Sequence, residues 1–148
     1  MRIEEICSRI VVVALPATTV HEGARLLREH HVGALVVIDS RQASRPLGIV
    51  TDRDMVVEVI AMGIDPAKLT VGDLMSGNIV SVNAGDGVLE TIRLMQSEGV
   101  RRVVVVDSAG GLVGIVSFND LVPYVSEALA GLANAITGAQ GRERELRV

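Results

Sequence analysis

The sequence predicts an α/β protein, α+β-like in its layout, in which two β-α-β-β-α repeats pack sheet to sheet with pseudo-twofold symmetry. The first observation is an internal repeat: after a shift of 68 residues, 20–27 and 32–40 fall on 88–95 and 100–108. The second is composition, because 49% of the residues are hydrophobic and 1% aromatic, with valine prominent, which favours sheet covered on both faces. The third is size, since one repeat of about 60 residues buries too little surface to be stable alone.

Each repeat shows one order of hydrophobic patterns: a short extended run, an amphipathic helix, two apolar strands and a second helix. The predicted bounds are 10–15, 19–30, 34–38, 47–51 and 52–62 in the first repeat, and 79–82, 87–98, 102–106, 112–117 and 118–130 in the second. Thr18 or Thr19, and Asp86, are the candidate N-caps of the first helix in each repeat.

The predicted division is repeat one at 1–68, repeat two at 69–137 and a C-terminal tail at 138–148. Two interpretations of the late residues stay open. The tail is a frayed or loosely helical end, or residues 128–136 extend the last helix and pack against a second subunit.

Charge and composition exclude several classes of function. With 14 basic and 18 acidic residues, the net charge is −4, which gives no basic surface for a nucleic-acid backbone. One phenylalanine and one tyrosine offer almost nothing for base stacking. The apolar runs are shorter than the roughly 20 residues of a membrane helix, and the acidic start does not fit a signal peptide. We expect a cytoplasmic protein that binds neither nucleic acid nor membrane.

Neither a metal site nor a catalytic set is evident. His30 and His31 are adjacent and point to different helix faces, and Cys7 has no acid at ligand spacing and fits a small buried apolar residue. The sequence has no nucleophile–base order, no phosphate-binding glycine loop and no paired acids in a catalytic frame. We expect no enzymatic activity, no metal and no catalytic cofactor.

The junction between the last strand and the last helix of each repeat carries a hydroxyl and, three residues later, a carboxylate. The pairs are Thr51 with Asp54 and Ser117 with Asp120. This spacing fits a capping box, in which the two side chains satisfy the first N–H groups of the helix. A helix N-terminus is also an anion site, and a carboxylate there can accept hydrogen bonds from ribose hydroxyls. Both interpretations hold together if the ligand breaks the cap.

Four segments in order resemble tandem cystathionine-β-synthase (CBS) domains, the pair called a Bateman module. They are 48–54, 73–76, 100–107 and 114–120, and the two repeats that contain them cover nearly the whole chain except the tail. The resemblance implies a regulatory homodimer that binds an adenosyl ligand between the repeats and signals to an unidentified protein partner in trans. The implied ligands are AMP, ADP and ATP, with NAD and S-adenosylmethionine as further members of the class. The alternative is a dimerisation scaffold with vestigial clefts.

The resemblance also implies three groups of ligand-binding residues. The ribose and its phosphate would contact the hydroxyl and carboxylate pairs: Thr51, Asp54, Ser117 and Asp120. The adenine slots would be lined by the early strands: Val12, Val13, Ile79 and Val80. Phosphate would meet arginines: Arg53, Arg101 and Arg102. Alternation along the strand sends Arg101 and Arg102 to opposite faces, so only one of them is expected to face the cleft. We favour Arg102, because its counterpart Ala34 in the first repeat leaves room for a phosphate, and Ala34 is therefore also a predicted ligand-binding residue. Gly33 and Ala34 stand opposite the two arginines, so the clefts are not equivalent.

Overall fold

A computed structural model describes residues 1–42, 45–75 and 77–147. The strands are β1 (Val13–Ala14), β2 (Ala34–Ile38), β3 (Pro46–Thr51), β4 (Ser81–Asn83), β5 (Arg102–Val106) and β6 (Leu112–Ser117). The helices are α1 (Val20–His30), α2 (Asp52–Met55), α3 (Val71–Leu74), α4 (Val88–Glu98) and α5 (Phe118–Leu146). A 3₁₀ turn at Ile3–Glu5 precedes β1, and a π-helical turn at Val56–Ile60 follows α2.

The strands form two three-stranded sheets of the same topology, in the orders β1-β2-β3 and β4-β5-β6. In each sheet the first strand pairs parallel with the second, and the second pairs antiparallel with the third. The predicted fold of two β-α-β-β-α repeats is therefore confirmed.

Side-chain alternation along the middle strands places apolar residues in three clusters. Leu35 and Val37 on β2 pack in the core of the first repeat, and Val103 and Val105 on β5 pack in the core of the second. The side chains between them point to the opposite face of each sheet. These residues meet in a third cluster between the two sheets: Val36, Ile38 and Val104. Sheet-to-sheet packing thus covers both faces of β2 and β5, as the continuous apolar runs predict.

The segment before the first strand of each repeat packs on the other repeat. Ile3 is fully buried in the core of the second repeat, and its backbone N–H donates to the Asp86 carbonyl at 2.8 Å. Reciprocally, Val71 on α3 is fully buried in the core of the first repeat, and its N–H donates to the Thr18 carbonyl at 2.8 Å. The boundary between residues 68 and 69 stays a prediction. Val71 lies after this boundary but packs in the core of the first repeat.

The structure corrects several predicted bounds and one cap. The early strands are shorter than the predicted runs 10–15 and 79–82, because few of those residues pair with a neighbouring strand. Thr19 caps α1 by accepting a hydrogen bond from the Glu22 N–H at 3.1 Å. The prediction that Asp86 is the N-cap of α4 is wrong, since Gly87 occupies that position. Asp86 instead accepts a hydrogen bond from the Asn83 N–H at 2.8 Å and closes the turn.

The last helix is longer than predicted. Sequence patterns ended it near residue 130, whereas α5 continues to Leu146 and includes most of the predicted tail. Alanine-rich sequence favours such a continuation, because alanine has the highest helix propensity. Residues 128–136 thus extend the last helix, as one of the two interpretations predicts, and their packing against a second subunit stays a prediction. Val148 at the chain end, Ser76 and residues 43–44 in the predicted loop 40–46 lie outside the described residues.

Candidate functional site

The junction of β3 with α2 is a reciprocal capping box. The Asp54 N–H donates to the Thr51 hydroxyl oxygen at 3.2 Å, and the Thr51 N–H donates to Asp54 Oδ2 at 2.8 Å. The capping interpretation therefore holds at this junction. Because the cap uses Oδ2, the second carboxylate oxygen of Asp54 takes no part in it.

The junction of β6 with α5 uses the same residue types in a different arrangement. The Ser117 N–H donates to Asp120 Oδ2 at 2.7 Å, and the Ser117 hydroxyl donates to the same oxygen at 2.8 Å. The serine hydroxyl is thus a donor to the carboxylate, whereas the Thr51 hydroxyl is an acceptor from the backbone. Asp120, like Asp54, keeps its second carboxylate oxygen outside the cap.

A cavity of about 690 Å³ opens beside the Thr51 junction, between the two repeats. This volume lies within the range of roughly 300–1,000 Å³ that is usual for small-molecule sites. It brings together seven predicted site residues: Thr51, Arg53, Asp54, Ile79, Val80, Arg101 and Arg102. Its lining also contains five residues that the sequence patterns did not indicate: Ile49, Asp52, Asn78, Gly99 and Val100. Alternation could have identified Ile49, because it lies two residues before Thr51 on β3 and so on the same face.

A second cavity, of about 200 Å³, lies beside the Ser117 junction. Its lining contains five predicted site residues: Val12, Ala34, Arg102, Ser117 and Asp120. Arg102 lines both cavities. Val13 lies outside the linings of both, on β1, with 40% of its surface exposed.

The two cavities differ in charge. Three arginines, Arg53, Arg101 and Arg102, and two aspartates, Asp52 and Asp54, line the larger cavity, which leaves one net positive charge. Among the described residues, none of the ion pairs involves these arginines. The smaller cavity has one arginine and one aspartate, Arg102 and Asp120. Guanidinium groups that lack a carboxylate partner are well suited to bind phosphate, because their planar N–H groups can donate two parallel hydrogen bonds.

The family model for the CBS domain matches residues 3–61 and 71–127. The chain belongs to the CBS domain family. This CBS pair is 35% identical over 124 residues to an uncharacterized protein of Methanopyrus kandleri. The match covers 82% of this chain, and the chain spans 62% of the length of that relative.

Solved CBS structures superpose on most of the chain. A CBS domain protein of Pyrobaculum aerophilum complexed with AMP matches with a TM-score of 0.75 and 28% identity, covering 82% of this chain and 90% of that one. A hexameric CBS-CP12 protein from bloom-forming cyanobacteria matches with a TM-score of 0.76 and 29% identity. The match covers 95% of this chain and 88% of that one.

No helix within the described ranges is both long and apolar enough to cross a membrane. Across the same residues, no three His, Cys, Asp or Glu side chains are grouped where they could hold a metal ion.

Proposed function

We propose that this CBS pair binds one adenine nucleotide in the larger cavity and signals its occupancy to a protein partner. One observation carries the proposal: a single cavity of suitable volume contains both the helix-capping carboxylate of Asp54 and three arginines. Among the described residues, these arginines form no ion pair. The AMP in the Pyrobaculum aerophilum relative supports the same ligand class.

Each part of a nucleotide has a matching group in the cavity. The ribose hydroxyls would donate to the oxygen of Asp54 that the cap does not use, and the adenine would lie against Ile79 and Val80. The phosphate would accept hydrogen bonds from the arginines, which are charge-assisted and so stronger than neutral ones. NAD carries a phosphate at the same 5′ position of the ribose, whereas S-adenosylmethionine carries a sulfonium cation there, so the arginines favour AMP, ADP, ATP and NAD over S-adenosylmethionine.

The position of the cavity supports a regulatory role. Its lining comes from both repeats, with Thr51 and Asp54 from the first and Ile79, Val80 and Arg102 from the second. A ligand that contacts both repeats stabilises the arrangement in which those contacts coexist, and so shifts the population of conformations. We propose that a partner protein recognises this shift in trans in the cytoplasm, and that the module itself catalyses no reaction.

Calorimetric titration and thermal denaturation with AMP, ADP, ATP, NAD and S-adenosylmethionine test the proposal. At a hundred times its dissociation constant, a bound nucleotide adds about 2.7 kcal/mol to the free energy of unfolding. Inorganic phosphate and GMP are the controls for charge and for base identity, and both should bind more weakly than AMP. If none of the adenosyl compounds gives heat or a shift in melting temperature, the nucleotide proposal fails and the scaffold alternative is favoured.

We propose in addition that the protein is a homodimer in which α5 contributes to the interface. Four large aliphatic residues on this helix are about 60% exposed and lie at helical spacing: Val122, Leu129, Leu132 and Ile136. An aliphatic stripe of this kind is unusual on a monomer surface. Light scattering should report about twice the chain mass of 15.6 kDa. Leu132→Glu should shift the mass toward one chain, and a wild-type mass of one chain at micromolar concentration would contradict the dimer.

A further inference from the structure

The two cavities differ in size although the repeats that form them have the same topology. Their volumes are about 690 and 200 Å³. The smaller cavity nevertheless keeps the helix-capping carboxylate of Asp120 and an apolar residue just before β1, Val12. Its volume falls below the roughly 300 Å³ at which small-molecule sites begin. Whatever reduces it must therefore come from residues in which the repeats differ.

Arg102 is such a residue. It pairs with Ser117 across the second sheet just as Ala34 pairs with Thr51 across the first, so the two occupy equivalent positions. The Arg102 side chain extends across to the first repeat, where one terminal guanidinium nitrogen lies 3.2 Å from the point at which a Cβ on Gly33 would sit. Gly33 lines the smaller cavity. The methyl group of Ala34 is too short to extend in the same way in the opposite direction.

We infer that Arg102 closes the smaller cleft and makes this CBS pair a module that binds one ligand per chain. The inference rests on the proposed function, because it takes an adenosyl compound as the ligand. One side chain serves both cavities: it contributes positive charge to the larger one and occupies volume in the smaller one.

The chemistry of the smaller cleft also indicates what it would bind once opened. Among its described lining residues, Arg102 is the only basic one. Without it, the cleft would offer Asp120 to a ribose and apolar surface at Val12 to a base, with no cation for a phosphate. The ligand class that fits is an uncharged nucleoside, and adenosine is the probe.

Calorimetric titrations of wild type and Arg102→Ala with adenosine and with AMP test the inference. Wild type should bind one molecule per chain when it is titrated with adenosine alone or with AMP alone. Arg102→Ala should bind two molecules of adenosine per chain. Its affinity for AMP at the larger cavity should fall about 10- to 150-fold, the loss expected for a hydrogen bond to a charged group. Adding Asp120→Asn to Arg102→Ala should return the number of bound adenosines to one.

Two matched variants separate the effect of the Arg102 side-chain size from the effect of its positive charge. Arg101→Ala removes a neighbouring arginine that lines only the larger cavity, so it should still bind one adenosine per chain. Arg102→Met keeps most of the side-chain length without the charge, and should lose AMP affinity while still binding one adenosine. Far-ultraviolet circular dichroism should be used to check that each variant is folded. Arg102→Ser serves as a second small substitution at the same position.

The outcomes distinguish this inference from the proposed function. If wild type binds AMP and folded Arg102→Ala and Arg102→Ser each bind a single adenosine, the closure by Arg102 is refuted and the nucleotide site stands. If wild type already binds two adenosines, the closure is refuted as well. If no protein in the set binds either compound, the proposed function is overturned and the inference falls with it.

Discussion

Replacing Asp54 with asparagine separates helix capping from ribose binding at one side chain. Asparagine keeps the shape and one acceptor oxygen, so it can still accept the 2.8 Å hydrogen bond from the Thr51 N–H. It loses the negative charge at the helix N-terminus, where a carboxylate contributes about 0.3–1 kcal/mol. We therefore expect the free energy of unfolding to fall by no more than about 1 kcal/mol.

Asp54→Asn should weaken AMP binding by more than it lowers the free energy of unfolding. In Asp54→Asn, an amide NH₂ group replaces the oxygen that the cap does not use, and this group cannot accept a hydrogen bond from a ribose hydroxyl. A hydrogen bond to a charged group contributes about 1.5–3 kcal/mol, which corresponds to a 10- to 150-fold weaker AMP affinity. The affinity should thus change by more than the stability does.

Asp73 provides a matched control for this comparison. It forms a capping box with Thr70 in which the two hydrogen bonds measure 3.0 and 3.2 Å, close to those of the Thr51 box, and α3 lies outside the linings of both cavities. Titration calorimetry with AMP and urea denaturation should show that Asp73→Asn affects stability alone. If Asp54→Asn binds AMP as tightly as wild type, or if Asp73→Asn weakens AMP equally, then Asp54 acts only as a cap.

Three further predictions concern stability and reactivity. Gly114→Ala should lower the free energy of unfolding by about 1–3 kcal/mol in urea denaturation, because its Cβ would lie 2.6 Å from the Ser8 carbonyl oxygen. Gly48→Ala, at the equivalent position, meets a methionine side chain and should cost less; equal losses would contradict this account. Hydrogen bonds from Thr70 lower the pKa of Asp73 below its ordinary 3.8, so its contribution to stability is complete above pH 3.8 and lost as the pH falls through the lower folded value. Unfolding curves of wild type and Asp73→Asn should accordingly converge in acid, and a constant difference down to pH 2 would refute the assignment. Burial raises the pKa of the Cys7 thiol, so iodoacetamide at pH 8 should alkylate native protein slowly and unfolded protein fast, and equal rates would show that the thiol is not protected.

The strands of the sheet core could be predicted closely because their sequence signal is local. The predicted bounds 34–38 and 102–106 are those of β2 and β5, which are short apolar runs bounded by polar or glycine residues. The burial of Ile3 in the second repeat could not be predicted, since a single apolar residue in a short turn has no periodicity. The same reason explains why α3, only four residues long, was not identified as a helix.

The residues of the candidate site were easier to predict than the shape of the clefts. Repetition of the hydroxyl and carboxylate pairs pointed to Thr51 and Asp54, and both line the larger cavity. The difference between Ala34 and Arg102 also indicated that the clefts are not equivalent. It could not indicate that one arginine lines both cavities, because this depends on the side-chain conformation that packing between the sheets allows.

The reciprocal packing of Ile3 and Val71 makes each repeat incomplete without the segment that precedes the other. A single copy of the unit could complete its core only by borrowing that segment from a second copy, which is the geometry of a domain-swapped dimer. The tandem chain is equivalent to such a dimer whose two copies have been joined end to end. We therefore expect its halves to depend on each other for folding, because opening one removes a buried side chain from the other, and the pair should unfold in one cooperative transition.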